Sequence, residues 1–207
     1  MQKIQLPMNE DIVRGLTVGD PVRLNGVMVT GRDSVHKWLI DTFIKKTREP
    51  QGDDLEVYEA IKPLLKDGAI YHCGPVVAGL ETHDYRFVAA GPTTSTREEP
   101  YQGDVMRHFT LRGVIGKGGM GPKTLAACQV VGGVYLHAIG GAASLIAQSV
   151  TSVLGVYKLD FGAPEAMWVI EVKDFPAVVT MDSHGNSLHA QIEQQSQATL
   201  EKLLAQP

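Results

Sequence analysis

The chain has 207 residues, 43% hydrophobic and 20% charged, which are proportions typical of a globular protein with one sizeable core. Its formal net charge of -4 argues against general nucleic-acid binding, which needs a basic face. No apolar run is long enough to span a membrane and Met1–Pro7 lacks the apolar core of a signal peptide, so we expect a cytoplasmic protein.

The N-terminal part predicts an arm over residues 1–19, followed by a β-hairpin. Asn25-Gly26 lies between the apolar runs 22–24 and 27–29. This dipeptide between apolar runs is the strongest short signal for a hairpin turn.

A helix is predicted directly after the hairpin. Asp33 or Ser34 can cap it, and apolar residues spaced four apart follow between Val35 and Phe43. Arg32 therefore lies at a strand-to-helix junction, where free backbone N–H groups favour anions.

The rest of the chain alternates short strands with helices. The predicted helices cover residues 55–66, 124–131 and 140–150, and the predicted strands cover 69–73, 85–90, 114–115, 133–139, 154–159, 167–172 and 177–181. Residues 182–186 form a turn, and a loose helical pattern follows in the tail. Helices placed between strands indicate a mixed α/β fold in one domain.

The segment Gly91-Pro92-Thr93-Thr94-Ser95-Thr96-Arg97 concentrates hydroxyl groups and one guanidinium on a loop. Glycine and proline end the preceding strand, and an arginine fork matches a carboxylate in bidentate fashion. From composition alone, a solvated loop with an exposed arginine is the favoured interpretation of the segment. Together with a second cation on another loop, however, it predicts a pocket for a small dicarboxylate.

The second cation stands in Gly116-Lys117-Gly118-Gly119-Met120-Gly121-Pro122. Glycines on both sides of Lys117 let the backbone approach a ligand closely. The segment lacks the spacing of a nucleotide-binding phosphate loop, because Met120 rather than serine or threonine lies beyond the lysine. The alternative reading is a flexible surface turn.

Metal-binding patterns are weak in this sequence. Cys73 and Cys128 are far apart, and two thiols are too few for an iron–sulfur cluster, so we expect both to be small buried residues. The seven histidines form no zinc-binding pair, and no metal ligand is assigned to this chain.

Several segments, in this order, resemble one family. They are Thr30-Gly31-Arg32-Asp33 with His36, the two loops above, Gly140-Gly141-Ala142-Ala143, Glu171-Val172 with Asp174-Phe175-Pro176-Ala177, and Asp182 with Gly185-Asn186. Together they look like the β subunit, or C-terminal domain, of the iron–sulfur class I fumarate hydratases and L-tartrate dehydratases. The resemblance implies a swivelling β/β/α domain over residues 20–186, with an N-terminal arm (1–19) and a C-terminal helical tail (187–207).

The resemblance also implies a reaction. It is the reversible addition of water to a C4 dicarboxylate, with fumarate and L-malate expected first and L(+)-tartrate as the alternative. A [4Fe-4S] cluster carried by an α subunit would act as the Lewis acid, so this chain would be inactive alone and would function in a hetero-oligomer. A non-catalytic module that binds a carboxylate or a protein on the same fold is the alternative from another class.

Residue roles follow from the same resemblance. Arg32, Thr94, Arg97 and Lys117 match the residues that bind substrate, and Thr93 and Lys117 match the catalytic ones. Thr93 would handle the proton on the carbon next to a carboxylate, with an acceptor from the partner. Many relatives carry Met-Asp where Glu98-Glu99 stands here. The two glutamates add negative charge beside the carboxylate clamp, and they either point outward or alter substrate choice.

Overall fold

The computed structural model describes residues 1–205, which fold into strands and helices that alternate along the chain. The strands are β1 (Gln2–Gln5), β2 (Pro21–Thr30), β3 (Ala69–Tyr71), β4 (Val76–Ala78), β5 (Arg86–Ala89), β6 (Gly113–Gly116), β7 (Val134–His137), β8 (Val150–Tyr157) and β9 (Met167–Met181). The α-helices are α1 (Glu10–Arg14), α2 (Asp33–Leu39), α3 (Asp54–Leu65), α4 (Glu99–Phe109), α5 (Pro122–Val131), α6 (Ala143–Ala147) and α7 (Leu188–Leu204). Within residues 1–205, no helix combines the length and apolarity needed to cross a bilayer.

Five strands close into a barrel of mixed direction. β2, β3, β6 and β7 pair in parallel in that order, and β9 runs antiparallel to both β7 and β2, which closes the ring. β1 and β8 extend the sheet beside β2 and β9, while β4 and β5 form a separate hairpin. The mixed α/β class predicted from the sequence is thus confirmed.

Two apolar cores lie on opposite faces of the barrel wall, because successive side chains of a strand point to opposite faces. Tyr71, Trp168 and Phe175 belong to the core that also contacts the β4–β5 hairpin. Ile70 and Val169 belong to the core under helices α2 to α5. The short parallel strands are apolar throughout, since both of their faces are covered.

Helix ends follow the local chemistry. Helix α5 begins at Pro122, whose missing N–H costs nothing in a first turn, and ends at Gly132, whose φ of 64° is left-handed.

The sequence did not predict α4, which contains Gly103 at its centre. A Cβ at Gly103 would lie 3.0 Å from the Lys123 carbonyl oxygen, so the glycine permits the close contact between α4 and α5.

Four local predictions were wrong. Neither Asp33 nor Ser34 caps the first predicted helix: α2 begins at Asp33, its N-cap is Arg32, and no side chain caps it. Asn25-Gly26 is not a hairpin turn: β2 runs straight through it, and the register against β9 shifts there as a bulge. Gly26 has a φ of 106° and lets the Leu6 carbonyl oxygen approach to 2.7 Å of where a Cβ would stand. Likewise 167–181 is one strand rather than two, with Asp174 at a φ of 52°, and the helix predicted over 140–150 shortens to α6.

Candidate active site

The sequence-predicted site residues meet at the carboxyl ends of parallel strands. Arg32 follows β2, His72 and Gly74 follow β3, and Lys117 follows β6. Because β2, β3 and β6 are parallel neighbours, their carboxyl ends lie at one edge of the barrel. Strand order, rather than proximity in sequence, therefore brings these loops together.

The Thr93–Arg97 loop pairs with the Lys117 loop through the backbone. The Lys117 N–H donates to the Thr93 carbonyl (3.2 Å), and the Ser95 N–H donates to the Lys117 carbonyl (3.0 Å). Thr94 and Lys117 form an isolated parallel bridge. The Thr93 N–H donates to the His72 carbonyl at 2.7 Å, which ties the same loop to the end of β3.

The two threonines of this loop differ in environment. The Thr93 Oγ1 is buried and has no hydrogen-bond partner within residues 1–205. The Thr94 side chain is exposed. A buried hydroxyl without a partner is unfavourable in a finished interior, so the Thr93 side chain fits a site that is completed by another group.

Both arginines are ion-paired to acids of this chain. The Arg32 Nη2 lies 3.1 Å from the Glu165 Oε1, and the Arg97 Nη2 lies 3.2 Å from the Asp33 Oδ2. A Cβ at Gly74 would lie 2.4 Å from the Arg32 Nη1, so the glycine makes room for the guanidinium. Glu165 was not predicted, since it lies far away in sequence in the loop before β9.

Lys117 differs from the arginines, because no ion pair within residues 1–205 involves it. Its side chain lies beside Gly140, in the segment after β7, where a Cβ would lie 3.4 Å from the Lys117 Cδ. The Gly140-Gly141 segment thus lies beside the site. The loop that carries Lys117 continues through Gly118 and Gly119, whose φ angles of 80° and 79° favour glycine.

The two glutamates after Arg97 point inward, and neither adds free negative charge to the site. Glu98 is fully buried, and burial, together with the neighbouring Asp33 carboxylate, raises the pKa of Glu98 to about 8, so the side chain is mostly neutral at pH 7. The Glu99 carboxylate accepts hydrogen bonds from the N–H groups of Gly121 and Lys123 (2.8 Å each) and from Thr124. Its charge therefore faces the N-terminus of α5, just after the Lys117 loop.

A buried string of hydrogen-bonded polar side chains runs beneath these loops, and sequence patterns alone did not predict it. The Nε2 atoms of His36 and His72 each lie 2.8 Å from the Gln102 Oε1. The His72 Nδ1 lies 2.8 Å from the Ser95 Oγ, which also accepts from the Tyr135 hydroxyl at 2.9 Å. The one available signal was position, since His72 directly follows a wholly buried strand at the edge where Arg32 and Lys117 lie.

An open cavity of about 680 Å³ adjoins this edge, between α7 and the barrel. Gly118, His137, Thr180 and His189 line its barrel side. The His189 Nε2 lies 2.9 Å from the Thr180 Oγ1, which holds the start of α7 against β9.

Comparison with known proteins places the chain in one family. The Fumarase C-terminus family model matches residues 1–192. A Geobacillus stearothermophilus protein provisionally named a class I fumarate hydratase is 54% identical over 97% of this chain, which spans only 35% of that relative's length.

Two further relatives are covered over most of their own length. A Methanocaldococcus jannaschii protein provisionally named an L(+)-tartrate dehydratase subunit beta is 37% identical, over 93% of each chain. The L(+)-tartrate dehydratase subunit beta of Escherichia coli K12 is 34% identical, over 92% of this chain and 88% of its own. The sequence resemblance is thereby confirmed, and the chain belongs to the Fumarase C-terminus family.

Proposed function

We propose that this chain is the β-type half of a hydro-lyase that reversibly adds water to a C4 dicarboxylate, with fumarate and L-malate as the preferred pair. The observation that carries the proposal is that the Arg32, Thr93–Arg97 and Lys117 loops lie together at one barrel edge: Lys117 and Thr93 are joined through their backbones, and Arg97 is paired to Asp33 beside Arg32. A short dicarboxylate has two negative ends, and cations on separate loops suit both at once.

The proposed binding residues are Arg32, Thr94, Arg97 and Lys117. A guanidinium has five N–H donors, so Arg32 can keep Glu165 on one edge while its other edge meets a substrate carboxylate. Arg97 has the same option with Asp33, and its side chain is 49% exposed and therefore accessible. Lys117, without a competing acid in residues 1–205, offers the least hindered positive charge of the three.

The proposed proton-transfer residue is Thr93. A threonine hydroxyl is a weak base, and the buried Oγ1 has no acceptor among the described residues, so the acceptor would come from the partner. Removal of the proton beside a carboxylate moves negative charge onto that carboxylate. Cations already fixed in place stabilise this charge, and each is worth on the order of 3 kcal/mol of barrier.

The [4Fe-4S] cluster of the proposal is assigned to an α partner, because the residues of this chain do not fit it. Cys73 and Cys128 belong to different apolar cores, and burial raises the pKa of each thiol to about 12, whereas cluster ligands are thiolates. Within residues 1–205, no three His, Cys, Asp or Glu side chains are grouped to hold a metal ion. We propose further that this β/β/α domain swivels against the partner to close the site around substrate.

Sequence identity favours fumarate over tartrate. The relative with a fumarate hydratase name is 54% identical to this chain, and the relatives with tartrate dehydratase names are 37% and 34% identical. L(+)-tartrate is the second candidate substrate, since its β subunits are matched over nearly their whole length.

The test is anaerobic co-expression with an α polypeptide that carries three cluster cysteines. Hydration of fumarate and mesaconate and dehydration of L-tartrate are then measured, and fumarate is expected to give the highest kcat/KM. Lys117→Ala and Arg97→Ala should each lower kcat/KM by about 100-fold, which corresponds to the loss of one preorganised charge.

Arg107→Ala is the matched control, because Arg107 is exposed on α4 and, among residues 1–205, its one ion pair is with Asp104, one turn away. It should leave turnover unchanged. Near wild-type rates for both site variants would remove Lys117 and Arg97 from the site. A complex that binds a dicarboxylate and turns over none of the three acids would support the non-catalytic module instead.

A further inference from the structure

The buried string under the site connects the backbone of Arg32 to the Thr93–Arg97 loop. It starts at the Tyr135 hydroxyl, passes through Ser95, His72, Gln102 and His36, and ends where the His36 Nδ1 lies 2.9 Å from the Arg32 carbonyl oxygen. Ser95, His72, Gln102 and His36 are fully buried, and so is Tyr135. The string therefore links the backbone of Arg32 to the Thr93–Arg97 loop without passing through solvent.

Hydrogen counting fixes the direction of the string. The Arg32 carbonyl only accepts, so the His36 Nδ1 carries a hydrogen, and a neutral ring then leaves its Nε2 as an acceptor. The oxygen and nitrogen ends of an amide have the same shape, and hydrogen bonding decides which end faces the rings. The structure places the Gln102 Oε1 2.8 Å from both Nε2 atoms and leaves the Gln102 Nε2 without a partner in residues 1–205, but an oxygen cannot donate to the Nε2 of a neutral ring. We therefore assign the amide the other way round, with its NH₂ group toward the rings, because its two hydrogens then serve the Nε2 of His36 and that of His72.

The same count assigns His72. Its Nε2 accepts from Gln102, so its Nδ1 carries the hydrogen and donates to the Ser95 Oγ, which also accepts from Tyr135. Neutral rings agree with their surroundings: burial, reinforced by His36 and Arg97, lowers the pKa of His72 to about 3, and burial lowers the pKa of His36 as well.

The string also sits directly against the Lys117 loop. A Cβ at Gly116 would lie 1.9 Å from the Ser95 Oγ and 3.1 Å from the Tyr135 hydroxyl. Gly116 has an ordinary φ, so the space around the string, rather than backbone conformation, requires a glycine immediately before Lys117. A displacement of Ser95 would therefore change the packing of both the Thr93–Arg97 loop and the Lys117 loop.

We propose that His36, His72 and Gln102 are positioning residues of the active site. With Ser95 and Tyr135 they form one directional hydrogen-bonded string that fixes the Thr93–Arg97 loop against Arg32 and Lys117. The catalytic consequence rests on the proposed function, whereas the ordering of the loops does not.

The first test determines which ring nitrogens of His36 and His72 carry hydrogen. ¹⁵N-detected NMR of the full chain at pH 7 should show both rings neutral, with hydrogen on Nδ1 and none on Nε2. Hydrogen on the His72 Nε2, or a doubly protonated His36, would overturn the assigned direction. Gln102→Glu sharpens the test, because a carboxylate only accepts and should convert both rings to forms with hydrogen on Nε2.

The second test measures how well the two loops are ordered, through the exchange of their backbone amides. Gln102→Met keeps a long side chain but removes both amide hydrogen bonds, and amide exchange of Ser95 and Lys117 should accelerate by about tenfold or more. Tyr58→Phe is the matched control. It deletes a hydroxyl on α3 that lies 2.8 Å from the His108 Nε2 on α4 and outside the string, and it should leave those amides protected.

Equal protection of Ser95 and Lys117 in Gln102→Met and Tyr58→Phe would refute the positioning role. In the reconstituted complex, Gln102→Met should lower kcat by about tenfold, whereas Tyr58→Phe should not. Because tautomers and amide exchange are measured on the chain alone, an inactive complex would count against the proposed function only.

Discussion

The contact between Glu99 and helix α5 allows a quantitative prediction. One half-buried carboxylate accepts four hydrogen bonds at the start of α5: 2.8 Å from the Gly121 N–H, 2.8 Å from the Lys123 N–H, 3.3 Å from the Thr124 N–H and 2.6 Å from the Thr124 hydroxyl. Helix capping contributes about 1 kcal/mol, and a hydrogen bond to a charged group contributes about 1.5–3 kcal/mol. Since the four bonds share one acceptor group, their energies do not add.

We therefore expect Glu99→Ala to lower the free energy of unfolding by about 3 kcal/mol. For a chain of this size that is a fall in Tm of roughly 6–12 °C. Urea unfolding followed by circular dichroism should show a lower midpoint with an unchanged m-value. Glu59→Ala, an exposed glutamate on α3, is the control and should stay within about 0.5 kcal/mol. A loss below about 1 kcal/mol for Glu99→Ala would refute the capping role.

Three further predictions concern single side chains. Gly116→Ala should lower the free energy of unfolding in urea by about 1–3 kcal/mol, because the added Cβ would clash with the Ser95 Oγ. Gly155→Ala is the control, since a Cβ there has open space, and equal effects of the two substitutions would contradict the prediction. Burial raises the pKa of Glu98 from the ordinary 4.5 to about 8 in the folded chain, so the stability that the wild type has below about pH 4.5 is lost progressively as pH rises to about 8. Glu98→Gln should therefore reduce the dependence of Tm on pH between about pH 5 and 8, and parallel wild-type and variant profiles would disprove it. Burial by itself raises the pKa of Asp182, but hydrogen bonds from Asn186 and from backbone N–H groups outweigh this effect and lower the pKa. The free energy of unfolding should therefore fall as pH drops below the ordinary aspartate pKa of about 3.9, and the fall should be smaller in Asp182→Asn.

Local signals predicted most of the regular structure. Helices α3 and α5 and the short apolar strands were expected within a few residues, because periodicity, proline and glycine act over a few neighbours. Asn25-Gly26 failed as a turn because β1 and β9 flank β2 on both sides, and pairing on both sides of a strand outweighs a two-residue turn preference. Helix α4 was missed because its central glycine serves the contact with α5 and reads locally as a helix breaker.

The sequence by itself determined the chemical groups of the candidate site. One loop rich in hydroxyl groups and one rich in glycine, each with a cation, can be recognised from the sequence alone, and so can the family resemblance. The tertiary structure decided which groups meet: parallel pairing of β2, β3 and β6 places Arg32, His72 and Lys117 at one edge. It also decided the surroundings, for Glu98 reads as a surface charge in the sequence and is a buried, mostly neutral acid in the fold. Burial and partners depend on strands that are distant along the chain, and local composition carries no record of them.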